Sequence, residues 1–480
     1  MQKKFLTNLG LLLLLNLLIK PFWILGIDRS VQNAVGTENF GIYFSLLNFA
    51  FLFNILLDFG ITTYNNRNIA QNQELLGSQL SNITILKLLF ALIYTAITMS
   101  VGFIIGYQTL QIEILVVLCL NQFLQSFIMY LRSNLSGLHL FKTDAYISVL
   151  DRFLMILICG ILLWSDLFSQ PFQIMWFVYA QTASYMVTVL FAFTLVVFKA
   201  GRVRFSWEPE SFKIILKKAF PFALMILLMS VYMKIDAVML ERLLPDGNKY
   251  SGIYAQGYRL LEACNMFAYL IAVLLLPIFS KMLKEKRSVE SITGLAFKLI
   301  IVPPIILCAG SFQYGQEIME LLYNDLTNQS VPVFHFLMLC FIPITTTYVF
   351  GTLLTANGNM KEINLMAAFG ILINITLNFI LIPHYQAKGA AIASLLTQFG
   401  VAIIQVILVQ YIFRFKVKYK LITALAVFIL IVGSMGYYWI DWTGIWYFNL
   451  GFLVLCSIIL AMALNLINLK SINDILRIEE

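Results

Sequence analysis

Long hydrophobic runs separated by short polar segments dominate this sequence of 480 residues. A helix rises about 1.5 Å per residue, so about 20 apolar residues cross a bilayer core of about 30 Å. Fourteen runs are long enough. The predicted spans are 8–26, 40–62, 83–106, 111–131, 146–165, 172–198, 213–240, 250–279, 294–313, 332–356, 363–382, 389–413, 421–440 and 445–468. This pattern predicts an all-α polytopic membrane protein with about 14 transmembrane helices.

Composition supports a membrane environment. Hydrophobic residues make up 60% of the chain and charged residues 12%, whereas soluble domains have about 45–50% and 25%. The six cysteines lie singly in apolar runs and the three histidines are close to none of them, so we predict neither disulfides nor a metal site. Without a Walker or Rossmann glycine pattern, or a loop longer than about twenty residues, we expect neither enzyme activity nor an organic cofactor.

The first predicted span begins like a signal peptide, because Lys3 and Lys4 precede the leucine run 11–15. The residues that follow differ from a cleavage site, since Lys20 and Pro21 stand where small residues are needed. We therefore expect this segment to be retained as an anchor helix.

The distribution of lysine and arginine predicts the orientation, because these residues are retained on the cytoplasmic side. If the N-terminus is inside, cytoplasmic segments contain 22 of the 32 Lys and Arg residues. The outer loops contain only Arg29, Arg242, Lys249 and Lys388. Both termini are therefore predicted to be cytoplasmic, in the bacterial cytoplasmic (inner) membrane. This asymmetry explains the net charge of +8 without a nucleic-acid partner.

A basic linker, 199–218, follows the sixth predicted span and predicts a boundary between two lobes. Two short stretches repeat on either side of it: Ile27-Asp28 with 40–43, and Ile235-Asp236 with 251–254. Six spans per repeat preserve orientation, so the lobes would be related by an axis along the bilayer normal. The predicted divisions are 1–200 (six helices), 201–414 (six helices) and 415–480 (two peripheral helices and a cytoplasmic tail).

Several segments resemble bacterial polysaccharide flippases of the Wzx type. They are Val35-Gly36 to Tyr43, 57–60, 67–70, 356–359, Ile382-Pro383 and 388–393. The resemblance extends over essentially the whole chain and includes the helix count. It implies the fold of the superfamily that also contains multidrug extruders and lipid II flippases. It also implies transport of a lipid-linked oligosaccharide for surface polysaccharide such as O-antigen, a component of lipopolysaccharide.

Charged residues inside predicted spans are candidate functional residues, because inserting each one costs about 2.5–3.5 kcal/mol. Lys87 and Lys298 lie about one turn from cytoplasmic ends, so we expect their side chains to snorkel to the headgroups. We place Arg132, Asp151 and Arg152 at the inner edge as well. The deeper charges are Lys20 in the first span, Lys234 and Asp236 in the seventh, and Arg259 and Glu262 in the eighth.

We expect Lys20, Lys234 and Arg259 to line a cationic, water-filled cavity where the two lobes meet. A polyprenyl-pyrophosphate-linked oligosaccharide suits such a cavity, because Lys and Arg donate charge-assisted hydrogen bonds to phosphates. The other interpretation is structural: Lys234 pairs with Asp236, and Arg259 pairs with Glu262. These ion pairs would merely hold helices together. Lys20 has no acid within a turn of its own helix, so it is the strongest candidate.

Asp58 has a different expected role. With Gly60 and Arg67 it stands at the inner end of the second span, so we expect Asp58 and Arg67 to close that end of the helix or to act in gating.

Ion coupling is the second candidate chemistry. Some lipid II flippases of the superfamily place a sodium site among the seventh, eleventh and twelfth helices. Here Asp236, Asn374, Asn378 and Thr397 offer oxygens on those helices, although two amides stand where a further carboxylate is wanted. The candidate coupling ions are Na⁺ and H⁺. The two asparagines are also explained as hydrogen-bonding partners between helices.

Two rival functions stay open. A cation-coupled multidrug or small-molecule exporter of the same superfamily would favour acidic or aromatic pocket residues. A membrane glycan polymerase or ligase would need a larger outer loop. The expected partners are the lipid bilayer, the lipid-linked oligosaccharide and the polysaccharide polymerase machinery.

Overall fold

The computed structural model describes residue 10 and residues 14–165, 170–201, 209–416, 419–438 and 444–467; the side chains of Arg67 and of 209–222 lie outside the described part. Within those ranges the chain is helical and has no strand, which confirms the predicted all-α fold. The helices are α1 (14–35), α2 (Thr37–Leu52), α3 (Ile61–Gln71), α4 (Leu76–Ile104), α5 (Thr109–Gly137), α6 (Phe141–Trp164), α7 (Ile174–Ala200), α8 (Pro209–Leu243), α9 (Gly247–Lys284), α10 (Glu290–Leu322), α11 (Ser330–Ala356), α12 (Met360–Phe413), α13 (Tyr419–Tyr438) and α14 (Trp446–Ala463).

Ten of the described helices are long and apolar enough to cross a membrane, so the chain is a multi-pass membrane protein. One of them, α12, has 54 residues, which is far longer than a single crossing needs. It breaks at Gln386, whose φ of 52° and ψ of −131° are not helical. The break lies between the predicted spans 363–382 and 389–413, so α12 accounts for both of them.

Helix α1 contains a π-helical segment, Trp23–Asp28. Pro21 lies two residues before it and lacks the N–H that would bond one turn back, a common setting for a local change of helical pitch. The wider turn begins at Trp23, and the helix continues to residue 35 rather than ending at the predicted residue 26.

The second predicted span, 40–62, is broken rather than continuous. Helix α2 ends at Leu52, a single 3₁₀ turn covers Asn54–Leu57, and α3 begins at Ile61. Phe59 and Gly60 between them have left-handed φ angles of 44° and 79°. The expected continuity was wrong because hydropathy reports apolar length and not backbone path.

The chain forms two compact units, 1–252 and 253–480. This division by contacts falls 52 residues after the predicted lobe boundary at 200, because α8 and the start of α9 pack on the first unit. In the second unit, α13 and α14 pack on α10 through an apolar cluster. Its buried members include Val302, Phe428, Val432 and Ala461. The pseudo-symmetric lobes 1–200 and 201–414, with 415–480 peripheral, stay predictions.

Candidate functional site

A group of charges lies on α1, α5 and α6 in the first unit. Lys20 is half-buried on α1, and the charges that act on it most strongly are Arg152, Asp151 and Arg132. Arg152 and Asp151 are eleven and ten residues into the 24-residue helix α6, about 16 Å along its axis. Helix α6 starts at Phe141, five residues before the predicted span, and the inner-edge position of these two residues stays a prediction.

Aromatic rings position the Arg152 guanidinium. It lies 5.6 Å from the centre of the Trp23 ring and 5.9 Å from the centre of the Tyr185 ring. Trp23 in turn stacks on Phe177, with ring centres 5.7 Å apart. Three helices, α1, α6 and α7, therefore hold this cation. Arginine suits such a site because its planar, weakly hydrated guanidinium stacks on rings while its N–H groups remain able to bind oxyanions.

Carboxylates lie beside two of these cations. Arg152 Nε is 3.8 Å from the Asp151 carboxylate, and its Nη1 donates to Met155 Sδ at 3.4 Å. Arg132, five residues before the end of α5, binds Asp144 with two nitrogens at 2.7 and 3.4 Å. The group named here thus consists of three cations, on α1, α5 and α6, and two carboxylates on α6.

Lys87 does not reach the headgroups as expected. Only 1% of its side chain is exposed, and its ammonium donates hydrogen bonds to Asp58, to the Leu57 carbonyl at 3.0 Å and to Ser126 Oγ at 2.9 Å. The snorkelling prediction was wrong because the break in the second span supplies acceptors inside the protein. Asp58 is therefore an ion-pair partner within the first unit, and the Arg67 side chain lies outside the described residues.

The cations of the seventh and eighth predicted spans have different surroundings. Lys234 on α8 lies 5.5 Å from the centre of the Phe51 ring, and Asp236 is 1% exposed. Both belong to the first unit. Arg259 on α9, in the second unit, pairs with Glu262 at 2.7 Å, as the structural interpretation of that pair expects.

The second unit holds the other residues of the predicted sodium site. Asn374 and Asn378 in the first half of α12 are fully buried, and Asn378 Nδ2 donates to Asn374 Oδ1 at 3.1 Å. Thr397 in the second half of α12 is 1% exposed, and its hydroxyl has no hydrogen-bond partner among the described residues. The Asn374–Asn378 bond lies within one helix rather than between helices.

A polar contact at the predicted outer side escaped the sequence analysis. Arg242 Nη1 donates to the Ile105 carbonyl at 2.9 Å, and its guanidinium lies 4.1 Å from the centre of the Tyr107 ring. Glu241 pairs with Arg242 at 2.6 Å and accepts a hydrogen bond from Gln111 at 2.8 Å. The sequence identifies Arg242 only as one of the few cations in the outer loops. This unusual position was the signal that could have pointed to the contact.

The repeated glycines make a close backbone crossing beside this contact. A Cβ on Gly41 would lie 1.8 Å from the Asn248 carbonyl oxygen, and one on Gly252 would lie 1.9 Å from the Thr37 carbonyl oxygen. Gln32 Nε2 also donates to the Gly252 carbonyl at 3.0 Å. The short repeat detected in the sequence thus marks where α2 and the start of α9 meet.

Solved structures share this fold. The lipid II flippase MurJ in an inward closed conformation has a TM-score of 0.67 at 15% identity, covering 92% of this chain and 96% of that one. An inward-facing MATE family multidrug resistance transporter of the MOP superfamily has 0.61 at 17%, covering 82% and 94%. A MOP superfamily transporter from Pyrococcus furiosus has 0.59 at 16%, covering 85% and 95%. At such identities the likeness shows the fold alone.

Sequence comparison adds a family model. Residues 5–283 match the model described as "Polysaccharide biosynthesis protein". No curated protein matches the chain by sequence. The matched region includes residues 5–252 of the first unit, and therefore Lys20, Lys87 and Arg152.

Proposed function

The chain belongs to the polysaccharide biosynthesis protein family, and from that premise we propose that it is a flippase for a lipid-linked oligosaccharide. Its cargo is an undecaprenyl-pyrophosphate-linked oligosaccharide, moved across the bacterial cytoplasmic membrane to build surface polysaccharide such as O-antigen, capsule or exopolysaccharide. Both termini face the cytoplasm in this proposal, as the distribution of Lys and Arg predicts.

The observation that carries the proposal is the pair Lys20 and Arg152 on neighbouring helices of the first unit, where the charge of Arg152 acts on Lys20. A pyrophosphate is the cargo group most costly to move through a bilayer, because its charge must leave water. Lys20 offers a mobile ammonium and Arg152 a fork of N–H donors already oriented by Trp23 and Tyr185. With one more cation than carboxylates, the group suits a ligand that brings negative charge.

Lys234 and Arg259 extend the same function to the helices that follow. In the proposal they receive the pyrophosphate or the glycan as access alternates between the two membrane faces. Release of Arg259 from Glu262 would then accompany binding, because the carboxylate and the phosphate compete for one guanidinium. The polyprenyl tail stays in lipid, and the polar glycan is shielded from it.

Energy for the cycle is proposed to come from a cation gradient. Asn374, Asn378 and Thr397 are buried oxygen-bearing side chains of the second unit. Asp236 is the buried carboxylate of the same predicted sodium site. Oxygen donors are the ligands that a hard cation such as Na⁺ prefers. Uptake of a fluorescent lipid-linked substrate into vesicles under a Na⁺ gradient, and separately under an H⁺ gradient, identifies the coupling ion.

The direct test uses a deletion strain. Polyprenyl-linked lipids are measured by mass spectrometry, and surface polysaccharide is stained in parallel. The flippase predicts accumulation of complete lipid-linked repeat units together with loss of surface glycan. Unchanged lipids and unchanged glycan would contradict the proposal. Single repeat units that still reach the outer leaflet would instead indicate a polymerase or ligase.

A multidrug exporter is the second candidate, because the fold is shared with a MATE family multidrug resistance transporter. Cationic drugs are the cargo that a net cationic site disfavours, and this observation ranks the exporter second. The same deletion strain distinguishes the two functions: increased drug sensitivity with normal surface glycan supports the exporter. In the flippase proposal, polysaccharide polymerase machinery on the outer side is the partner that consumes the product.

A further inference from the structure

The break in the second span creates a set of oxygen atoms inside the first unit. Helix α2 ends at Leu52, and only some of the carbonyls after it, such as those of Ile55 and Asp58, accept from a backbone N–H. The Leu57 carbonyl accepts hydrogen bonds from two side chains, Lys87 at 3.0 Å and Ser126 Oγ at 3.3 Å. The Asp58 carboxylate lies at the same break and binds Lys87 as well.

The Lys87 ammonium has an oxygen acceptor for each of its N–H donors. An ammonium group has three N–H donors, and here the three acceptors are a backbone carbonyl, a hydroxyl and a carboxylate. Asp58 is held in turn by the Thr62 hydroxyl at 2.5 Å, in the first turn of α3. Lys87 thereby connects α4 to both sides of the break, and Ser126 connects α5 to it.

This acceptor set has the chemistry of a site for a monovalent cation. Secondary transporters commonly bind coupling Na⁺ with carbonyls at the unwound part of a discontinuous helix. Carboxylate, carbonyl and hydroxyl oxygens are the donors that hard cations select. In this chain the position of the ion is taken by the end of a side chain, twelve residues into α4.

We propose that Lys87 is a resident cation, which permanently fills a broken-helix cation site formed by Leu57, Asp58 and Ser126. The break in the second span therefore keeps its shape without exchanging an ion during transport. The proposal concerns the first unit alone and does not depend on what the protein transports. It also means that an exchangeable coupling ion binds elsewhere.

Removing the ammonium while keeping the oxygens tests the proposal. In purified Lys87→Ala protein, we expect the emptied site to accept a small free cation. The thermal unfolding midpoint is measured in N-methyl-D-glucamine chloride, NaCl and methylammonium chloride at equal ionic strength. Compared with N-methyl-D-glucamine, Na⁺ or methylammonium should raise the unfolding midpoint of the variant by about 2–4 °C, and the shift should level off at high salt concentration. The unfolding midpoint of the wild type should be the same in all three salts.

Two further variants distinguish a cation site from an ordinary ion pair. In Lys87→Met/Asp58→Asn both charges are gone, so the midpoint should be the same in all three salts. The single variants Lys87→Met and Asp58→Asn should each be less stable than this double variant, because each leaves one buried charge without its partner. This comparison serves even if Lys87→Ala yields too little folded protein.

Two results would overturn the proposal. One is a Lys87→Ala midpoint that is identical in the three salts. The other is a double variant at least as destabilised as the sum of the two single variants, which would show that the charges do not act as a pair. Because no lipid-linked substrate enters these measurements, failure here is distinct from failure of the proposed flippase function.

Discussion

Lysine and arginine inside the first unit are stabilised in two different ways. Lys87 is surrounded by oxygen acceptors, which compensate for its burial. Arg152 is packed against aromatic rings, and the nearest carboxylate is 3.8 Å from its Nε. Rings lower the cost of placing a cation among helices without a charged acceptor at hydrogen-bonding distance of its Nε, so we assign Arg152 to the proposed ligand site and Lys87 to a structural role.

The first prediction concerns the proposed pyrophosphate site. Lys20→Gln and Arg152→Gln should each lower transport of the lipid-linked cargo by roughly 10- to 100-fold, because each removes hydrogen bonds to a charged group. Surface polysaccharide is quantified in a deletion strain that expresses each variant at wild-type protein level. Lys298→Ala is the matched control, since this half-buried lysine on α10 donates a long hydrogen bond, of 3.5 Å, to the Asn465 carbonyl.

A second prediction separates charge from stacking at Arg152. Arg152→Lys keeps a cation but loses the planar group that lies over Trp23 and Tyr185. We expect transport to fall roughly 3- to 10-fold, less than in Arg152→Gln, in line with the size of a cation–π contact. Full activity of Arg152→Lys would show that the rings do not orient the cation.

The identities of these residues were only partly predictable. Lys20 was recognisable because it has no acid within one turn of α1. Arg152 was not recognised as a neighbour of Lys20, because the two residues are 132 positions apart in the sequence. Lys87 was misassigned because its acceptors come from a break in another helix. Such partners are distant in sequence, so a single chain without its fold does not reveal them.

The elements were easier to predict than their interruptions. Apolar length correctly predicted the division of α12 into two spans, because Pro383 and the polar residues near Gln386 separate its apolar runs. It missed the break at 53–60, where Phe-Asn-Ile-Leu-Leu is apolar enough to continue a helix. The left-handed Phe59 and Gly60 follow Asp58, which contacts Lys87 and Thr62. Hydropathy contains no information on such contacts.

The glycine crossing of α2 and α9 gives a third prediction. Gly41→Ala places a methyl group 1.8 Å from the Asn248 carbonyl, so backbones rather than side chains must move. We expect a loss of about 1–3 kcal/mol in stability, seen as a lower thermal unfolding midpoint. Gly400→Ala is the control, because nothing lies within 4 Å of its added Cβ; its midpoint should stay equal or rise.

A result in which Gly41→Ala and Gly400→Ala have the same midpoint would contradict the close crossing. The comparison is well matched, because both glycines lie inside helices and gain the same methyl group.

For the whole molecule, the two kinds of comparison cover different extents. The family model ends at residue 283, just before α10, whereas the MurJ likeness covers 92% of the chain. The match to the polysaccharide biosynthesis family therefore lies in the first unit and in the rest of α9. The second unit shares the fold and carries the buried Asn374, Asn378 and Thr397. We accordingly assign cargo recognition mainly to the first unit and ion coupling mainly to the second.

Orientation is the fourth prediction. In a variant without reactive native cysteines, Lys249→Cys should react with a membrane-impermeant maleimide on intact spheroplasts. Lys284→Cys should react only after permeabilisation. Both lysines are exposed, at opposite ends of α9, so access to reagent is limited by the membrane alone. The reverse pattern would place the N-terminus outside and contradict the orientation predicted from Lys and Arg.

The docked hairpin 241–252 has a consequence for dividing the gene. It lies beyond the predicted lobe boundary at 200, yet it covers Gly41, bonds the Ile105 carbonyl and accepts from Gln111. A fragment that stops at the linker before α8 would leave those groups without these contacts. A gene split at that linker should therefore work only when both halves are expressed together.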